Sequence, residues 1–345
     1  MRPTTSLGPV VCLGVHILDV LGRPVTEIPP GQHSIIIDEI RATAAGTAAG
    51  TSVDLAKLGV RVRNVGAIGD DMLGEILVRL LEENGVETDL ISRCAGRRTS
   101  ATILPIRPNG ERPALHVPGA NAVMRAEDVT DAQREAVLGA AGVHFGGLDA
   151  MPALDPAALA PVAAEAHRRG ALVTMDVLRI GDRASLASLA PVLAHTDWFC
   201  PNEEQLLALA ETSDLRAAAQ HVLDLGVGGV AVTRGEEGCR VIDATLDVSL
   251  PALAIDVVDT TGCGDGFDAG FLTGLLAGLT PTQAAWVGSV CGSLVATGLG
   301  SDAGITGVDQ VAERLAGVGD TDADAAAARL RELITATPEK GRSTP

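Results

Sequence analysis

The chain has 345 residues, 46% of them hydrophobic and 20% charged, a balance that supports a large folded core and excludes wholesale disorder. A formal net charge of −18 argues against nucleic acid as a partner and reads as a solubilising surface. No apolar run approaches the roughly 20 residues that cross a bilayer, and the N-terminus lacks a basic segment followed by a long apolar one. Neither a membrane span nor a signal peptide is expected.

The six cysteines (Cys12, Cys94, Cys200, Cys239, Cys263 and Cys291) form no C-x-x-C pair and no metal-ligand spacing with histidine. They read as reduced, buried thiols, which places the chain in the cytoplasm. Aromatic residues make up only 2%, so the core must be aliphatic and packed against 40 glycines.

In chain order, residues 10–15 are a short apolar run read as a first strand. Residues 20–40 read as an irregular excursion with edge strands, interrupted by Pro24, Pro29 and Pro30 and followed by the β-rich Ser34, Ile35, Ile36 and Ile37. Residues 46–58 have helical periodicity, 60–68 read as a strand, and Gly69-Asp70-Asp71 as the turn into a helix beginning near Leu73. Two β-type runs, 99–106 and 113–117, flank the hairpin signal Asn109-Gly110. From residue 141 onward, strands at 143–145, 172–176, 198–200 and 230–233 alternate with Ala-rich helices, which predicts a parallel sheet covered by helices. Helices are expected over 267–277 and 281–297. The expected division is one α/β domain over 1–318, with a small β-lid from about 16–40 and 98–118, then a C-terminal helix and frayed tail over 319–345.

The stretch that carries chemistry is Asp259-Thr260-Thr261-Gly262-Cys263-Gly264-Asp265-Gly266-Phe267-Asp268-Ala269-Gly270-Phe271. Gly262 and Gly264 let consecutive backbone N–H groups point into one space, and the helix that follows adds its positive end. That is an anion hole suited to a transferring phosphoryl group. A carboxylate at Asp265 is placed to take the proton of an attacking hydroxyl.

This stretch resembles the C-terminal signature of the ribokinase/PfkB family of sugar kinases, D-T-T-G-A-G-D-A-F-x-A-G-F. The resemblance implies a ribokinase-like three-layer α/β/α sandwich with a mostly parallel central sheet and a small β-lid. It also implies phosphoryl transfer from MgATP to a hydroxyl, with Asp265 as base and the backbone of Gly262, Cys263 and Gly264 as anion hole. Asp259 and Thr261 fall where the family holds an activating monovalent cation such as K+; a turn cap explains Asp259 equally well. Gly14-Val15-His16-Ile17-Leu18-Asp19 resembles the first strand and turn, with Asp19 as a ligand of sugar hydroxyls or a turn-stabilising residue. His16 would line the same pocket or serve as a structural histidine.

The segment from Ala45 to Gly50 resembles the family's G-G-N-A-A-N, so Gly46, Thr47 and Gly50 are expected at the substrate. Thr47 and Gly50 replace the two asparagines. Asp54, one turn beyond Gly50, reads as a compensating polar group or, more simply, a solvated helix face. Gly66 to Gly74 resembles a family turn and reads as structural, with Asp as N-cap. Asn202-Glu203-Glu204-Gln205 resembles the N-x-x-E element that orients Mg2+ through water. Gln205 stands at the acid position, so Glu204 is the substitute; favourable acids at a helix start are the alternative. Thr233, Gly235 and Gly238 resemble the nucleotide segment T-x-G-x-x-G, and Ser289 falls beside the adenine. A D-x-N-x-R pattern is only partly kept by Asp176, Leu178 and Arg179.

No P-loop, no G-x-G-x-x-G after the first strand and no G-x-S-x-G elbow is present, which disfavours P-loop kinases, dehydrogenases and hydrolases. With no aromatic in the expected lid to stack a base, a sugar or polyol is favoured over a nucleoside. A catalytically weak, sugar-binding regulatory protein is a further alternative, suggested by Thr47, Gly50, Leu178 and Gln205. An exposed lid sheet predicts a homodimer.

Overall fold

A computed structural model describes residues 7–178 and 185–335, so Arg179 and the expected frayed tail at 338–345 lie outside the described residues. The first apolar run forms β1 (Val10–Gly14), buried throughout. The chain then leaves the main sheet as the antiparallel pair β2 (Ile17–Arg23) and β3 (Glu39–Ala45). α1 (Thr47–Lys57) follows, and β4 (Val62–Gly69) returns parallel to β1. Asp71 caps α2 (Met72–Glu83) by accepting the Gly74 N–H at 3.0 Å, and it also takes the N–H and hydroxyl of Thr99. This turn is structural, as its sequence suggests. β5 (Ile91–Cys94) pairs with β4, and β6 (Ala101–Pro105) and β7 (Leu115–Val117) form a hairpin.

The alternation then unfolds as α3 (Asp131–Leu138), β8 (Gly142–Gly146), α4 (Pro156–Arg168), β9 (Leu172–Asp176), α5 (Leu186–Leu193), β10 (Trp198–Phe199), α6 (Glu203–Leu209), α7 (Leu215–Leu223) and β11 (Gly229–Thr233). β12 (Cys239–Asp243) runs antiparallel to β11, and β13 (Asp247–Leu250), antiparallel to β12, returns to the common direction. The signature opens α8 (Cys263–Leu276), followed by α9 (Pro281–Val295), α10 (Val308–Ala316) and α11 (Thr321–Thr335).

The main sheet runs β13-β12-β11-β10-β9-β8-β1-β4-β5, with every strand running in the same direction except β12. Its central strands, β1, β4, β8, β9, β10 and β11, are buried on both faces along most of their length, as their near-continuous apolar runs require. Val10 and Cys12 join a core with α1, α2 and α8–α11, whereas Val11 and Leu13 join a second core with α3–α7. The architecture is therefore three layers. A separate four-stranded sheet, β3-β2-β6-β7, stands beyond the ends of the main strands.

Several expectations are corrected. Ser34, Ile35, Ile36 and Ile37 form no strand; the strands are the runs on either side, which find partners in each other. β5, β12 and β13 were not anticipated, because their half-buried residues show no strong apolar pattern. The signature helix starts at Cys263 rather than 267, since its glycines hide the helical periodicity. Asp54 is not on a solvated face: it is fully buried, 3.6 Å from the Nζ of buried Lys57, which also donates to the Asp302 carbonyl. α11 contributes Ala323, Ala326, Ala327, Leu330 and Leu333 to the same core as α9 and α10.

Candidate active site

β1 is flanked by β4, next along the chain, on one side and by β8 on the other, so the strand order reverses between β1 and β8. In open α/β sheets the crevice beyond such a point is where ligands bind. A cleft of about 1680 Å³ lies there. It runs from the inner face of the small sheet, past the start of α8, to the segment after β11.

At its centre is the glycine turn. Gly262 has φ +79°, and a Cβ there would stand 2.4 Å from the Cα of Ser301. Only glycine suits that conformation and that close approach. No side chain caps α8, so its first N–H groups are left to the cleft that Gly262, Cys263, Gly264 and Asp265 line. The Cys263 N–H makes only a long bond of 3.4 Å to the Thr260 carbonyl. Asp259 fixes the turn from below: one oxygen accepts the Thr261 N–H at 3.0 Å and hydroxyl at 2.8 Å, and the other accepts the Gly300 N–H at 2.9 Å. A monovalent cation here would rely on its remaining lone pairs and on backbone carbonyls.

Asp265 sits in the first turn of α8 with its carboxyl in the cleft. Burial, then the nearby Asp19 charge, push its pKa up to about 7, while Arg112 opposes them. A carboxylate of that basicity is matched to accepting a proton near neutral pH. Gly50 explains the placement. A Cβ at residue 50 would stand 2.2 Å from Asp265 Oδ2 and 2.7 Å from its Cγ. The glycine where the family pattern has asparagine is thus the space the Asp265 carboxylate occupies.

The small sheet supplies the opposite wall. Its register aligns Thr43, Asp19, Thr102 and His116 as successive cross-strand partners on one face. Asp19, Thr102 and His116 line the cleft. Thr102 Oγ1 lies 3.1 Å from His116 Nδ1. Burial raises the pKa of Asp19 to about 6, tempered by its hydrogen bond to Thr102 and by Arg112. Thr43 and Ser301 anchor this sheet to the loop behind the anion hole, and the Arg41–Asp302 pair at 2.9 Å adds to that anchor. Gly46 and Thr47 line the floor, and Thr47 Oγ1 is buried without a partner, an unspent donor and acceptor.

Other expected residues divide. His16 is fully buried outside the cleft lining, its ring nitrogen 2.9 Å from the Gly14 carbonyl and its backbone paired with Asn121. Burial lowers its pKa to about 4, so it is a neutral core histidine, which corrects the expectation that it contacts substrate. Asn202, Thr233, Gly235, Gly238 and Ser289 all line the far end of the cleft, together with Arg234. Asn202 caps α6 by accepting the Gln205 N–H at 2.8 Å, and the Gln205 side chain returns to the Asn202 N–H and the Val177 carbonyl. Gln205 is therefore committed to the fold. Among the described residues no group of three or more His, Cys, Asp or Glu is arranged to hold a metal ion. The acids fit Mg2+ only as it arrives with a nucleotide: Glu203 is paired with Arg234 at 3.3 Å, leaving exposed Glu204 as the carboxylate to meet it through water. Such an ion would neutralise charge on the phosphates.

Sequence reasoning did not single out three features. Arg112, Thr102 and His116 line the cleft wall opposite the glycine turn; Arg112 and His116 follow the Asn109-Gly110 turn signal, and Thr102 lies on the strand before it. Beneath the site, Asp176 and Asp268 are buried against each other. His144 Nε2 lies 3.9 Å from Asp268 Oδ2, and neither Asp268 oxygen has a hydrogen-bond donor. Burial holds both carboxyls well above the usual range, helped by the Asp265 charge at Asp176 and by the Asp176 and Asp265 charges at Asp268.

Comparison with known proteins agrees with this geometry. The description "pfkB family carbohydrate kinase" matches residues 9–306, and the chain belongs to that family. A protein of Archaeoglobus fulgidus described as an uncharacterized sugar kinase is 31% identical over 225 residues, 65% of this chain and 86% of its own length. An ATP-dependent ribose-1-phosphate kinase of Halopiger xanaduensis is 28% identical over 273 residues, 79% of this chain and 86% of its own. The structure of Arabidopsis thaliana ribokinase complexed with ribose and ATP superposes with a TM-score of 0.73 at 22% identity, covering 97% of this chain and 99% of that one. Adenosine kinase from Sinorhizobium meliloti gives 0.71 at 25% identity over 86% and 96% of the two chains. The fold is that of the ribokinases, and the protein is a phosphotransferase with an alcohol group as acceptor, a sugar or nucleoside kinase. No helix among the described residues is long and apolar enough to cross a membrane.

Proposed function

We propose that this protein transfers the γ-phosphoryl group of MgATP to a hydroxyl of a sugar or sugar-like polyol. The observation that carries the reading is Asp265: a buried carboxyl with a pKa near 7, beside an uncapped helix start, facing Asp19 across one cleft. The substrate hydroxyl gives its proton to Asp265 as its oxygen attacks the γ-phosphorus in line. The N–H groups of Gly262, Cys263 and Gly264 receive the charge on the transferring phosphoryl oxygens. Asp19 accepts hydrogen bonds from other hydroxyls and fixes the acceptor. Thr233, Gly235, Gly238, Asn202 and Ser289 frame the nucleotide, and the small sheet excludes water that would otherwise hydrolyse it.

The acceptor is a sugar rather than a nucleoside because the small sheet offers no aromatic side chain. Phe271 meets Trp198 edge-on at 5.2 Å and stacks with Phe267 at 5.7 Å in the core, and Phe267 reaches the cleft from α8, not from the small sheet. Relatives named for fructose, deoxyribose and ribose 1-phosphate span neutral and phosphorylated sugars. The test is ADP release across pentoses, hexoses, sugar acids, sugar phosphates and nucleosides, with Asp265→Asn alongside. Turnover on a sugar, reduced at least about a hundredfold in the variant, is expected. Near-normal turnover by Asp265→Asn would remove Asp265 as base, and turnover on nucleosides alone would reassign the acceptor.

The same reading includes a homodimer through the outer face of the small sheet. Ile40, Ile103, Leu115 and Val117 are exposed there, and Met72, Leu73 and Ile76 on neighbouring α2 extend the apolar surface. Sedimentation at micromolar concentration should give a dimer, and Ile103→Lys a monomer; a monomeric parent protein would refute it.

A further inference from the structure

We propose that the acceptor carries an anionic substituent, a phosphate or carboxylate on the sugar, and that Arg112 recognises it. This narrows the kinase reading above and rests on it. Arg112 lies in the β6–β7 hairpin and lines the cleft with Ala114 and His116. Its charge acts on Asp19, Asp265 and Cys263 together, holding the pKa of each below what burial alone would give. Arg112 thus lines the cleft in which the acceptor must sit, within electrostatic reach of Asp19 and Asp265.

The surroundings make a cation there conspicuous. Asp19, Asp176, Glu203, Glu204, Glu236 and Asp265 line the cleft in a chain of net charge −18. A neutral sugar meets no penalty in such a cleft, but an anionic one is repelled unless a local cation receives it. The other arginine in the lining, Arg234, lies at the nucleotide end and is held by Glu203 and Glu237. Near Arg112, the adjacent Glu111 is taken by Arg107 at 2.9 Å, and no carboxylate among the described residues forms an ion pair with Arg112. Its fork of donors stays open for a carboxylate or phosphate, which it matches bidentately.

The sheet register gives the acceptor a direction. Asp265 and the anion hole mark the reacting hydroxyl, Asp19, Thr102 and His116 follow one another across three strands beside it, and Arg112, from the hairpin that carries His116, lines the same cleft. A cation serving only the transferring phosphoryl group has no need to share a wall with Thr102 and His116. Arg112 is thus placed to read a charged group on the acceptor.

The experiment compares matched acceptors with saturating MgATP: ribose against ribose 1-phosphate and ribose 5-phosphate, and glucose against gluconate. The phosphate and carboxylate arms separate the two sources of charge. The expected result is a kcat/KM at least tenfold higher for an anionic member than for its neutral partner. In Arg112→Gln that ratio should collapse toward one, through a KM for the anion raised about tenfold or more, with Arg112→Lys intermediate. A preference for the neutral sugar, or an equal loss of kcat on both members at unchanged sugar KM, would overturn the proposal while leaving the kinase reading standing. Absence of turnover on every sugar would instead strike that reading. Calorimetric binding of the same sugars then decides the anion site: binding of an anionic sugar that Arg112→Gln abolishes supports it, and no such binding overturns it.

Discussion

The two ends of the cleft are built from different materials. At the phosphoryl end the proposed working groups are backbone N–H groups, and the residues that shape it are glycines chosen for what they lack. At the acceptor end the proposed working groups are side chains: Asp19, Thr102 and His116 on three strands of a separate sheet, and Arg112 in the hairpin between two of them. The phosphoryl end depends on one stretch of chain with a fixed conformation. The acceptor end depends on register between strands far apart in sequence, and any one position can change without disturbing the others. Such a division lets one chemistry serve many sugars.

The sharpest way to break the phosphoryl end is to add one methyl group. Gly262→Ala puts a Cβ 2.4 Å from Ser301 Cα at a φ that alanine rarely adopts. The turn must shift, and with it the N–H groups aimed at the phosphoryl oxygens. Turnover should fall on the order of a hundredfold, the scale for losing one oxyanion donor, whichever sugar is used. Steady-state kinetics on two different acceptors checks this: equal loss on both locates the damage at the shared end, whereas loss on one alone would contradict the division.

That end was largely legible beforehand, because glycines and an aspartate in a fixed order carry their own local geometry. The parallel sheet was legible for a similar reason, its strands being short, continuous apolar runs. The acceptor end was only partly so. Asp19 stood out by its place after the first strand, but nothing local says that Thr102 and His116 stand beside it. That fact lives in hydrogen bonds between β2, β6 and β7. His16 misled because a histidine near a site and a histidine sealed under it look alike until burial is known. Asp54 misled in the opposite sense, since helical spacing alone does not say which face of a helix meets the core.

Between the ends, Asp265 should report on both neighbours through pH. It must be ionised to accept a proton, and its pKa is about 7, so kcat/KM should fall about tenfold per pH unit below that value and level off above it. Asp19 raises this pKa and Arg112 lowers it. Asp19→Asn should therefore move the acidic limb to lower pH, and Arg112→Gln should move it to higher pH. Shifts in the same direction, or an unmoved profile in both variants, would show that the base is not held between these two charges.

The smallest expected effect lies beneath the cleft and is one of stability. Asp268 is fully buried beside Asp176, with His144 as its nearest nitrogen partner. Its pKa is raised in the folded protein, so the folded state binds a proton that the unfolded chain has already released. The corresponding stability is complete below the unfolded value of 3.8 and declines as pH rises toward the folded pKa. Asp268→Asn keeps the shape, cannot ionise and offers an amide donor to Asp176. Its melting temperature should exceed that of the parent by an amount that grows from pH 5 to pH 8.5, reaching on the order of 2 °C. A gap of the opposite sign, or one that narrows with pH, would mean that the carboxylate of Asp268 is stabilised in its charged form. In that case His144 would have to be its protonated partner, although burial lowers the pKa of that histidine to about 4 and so argues for a neutral ring.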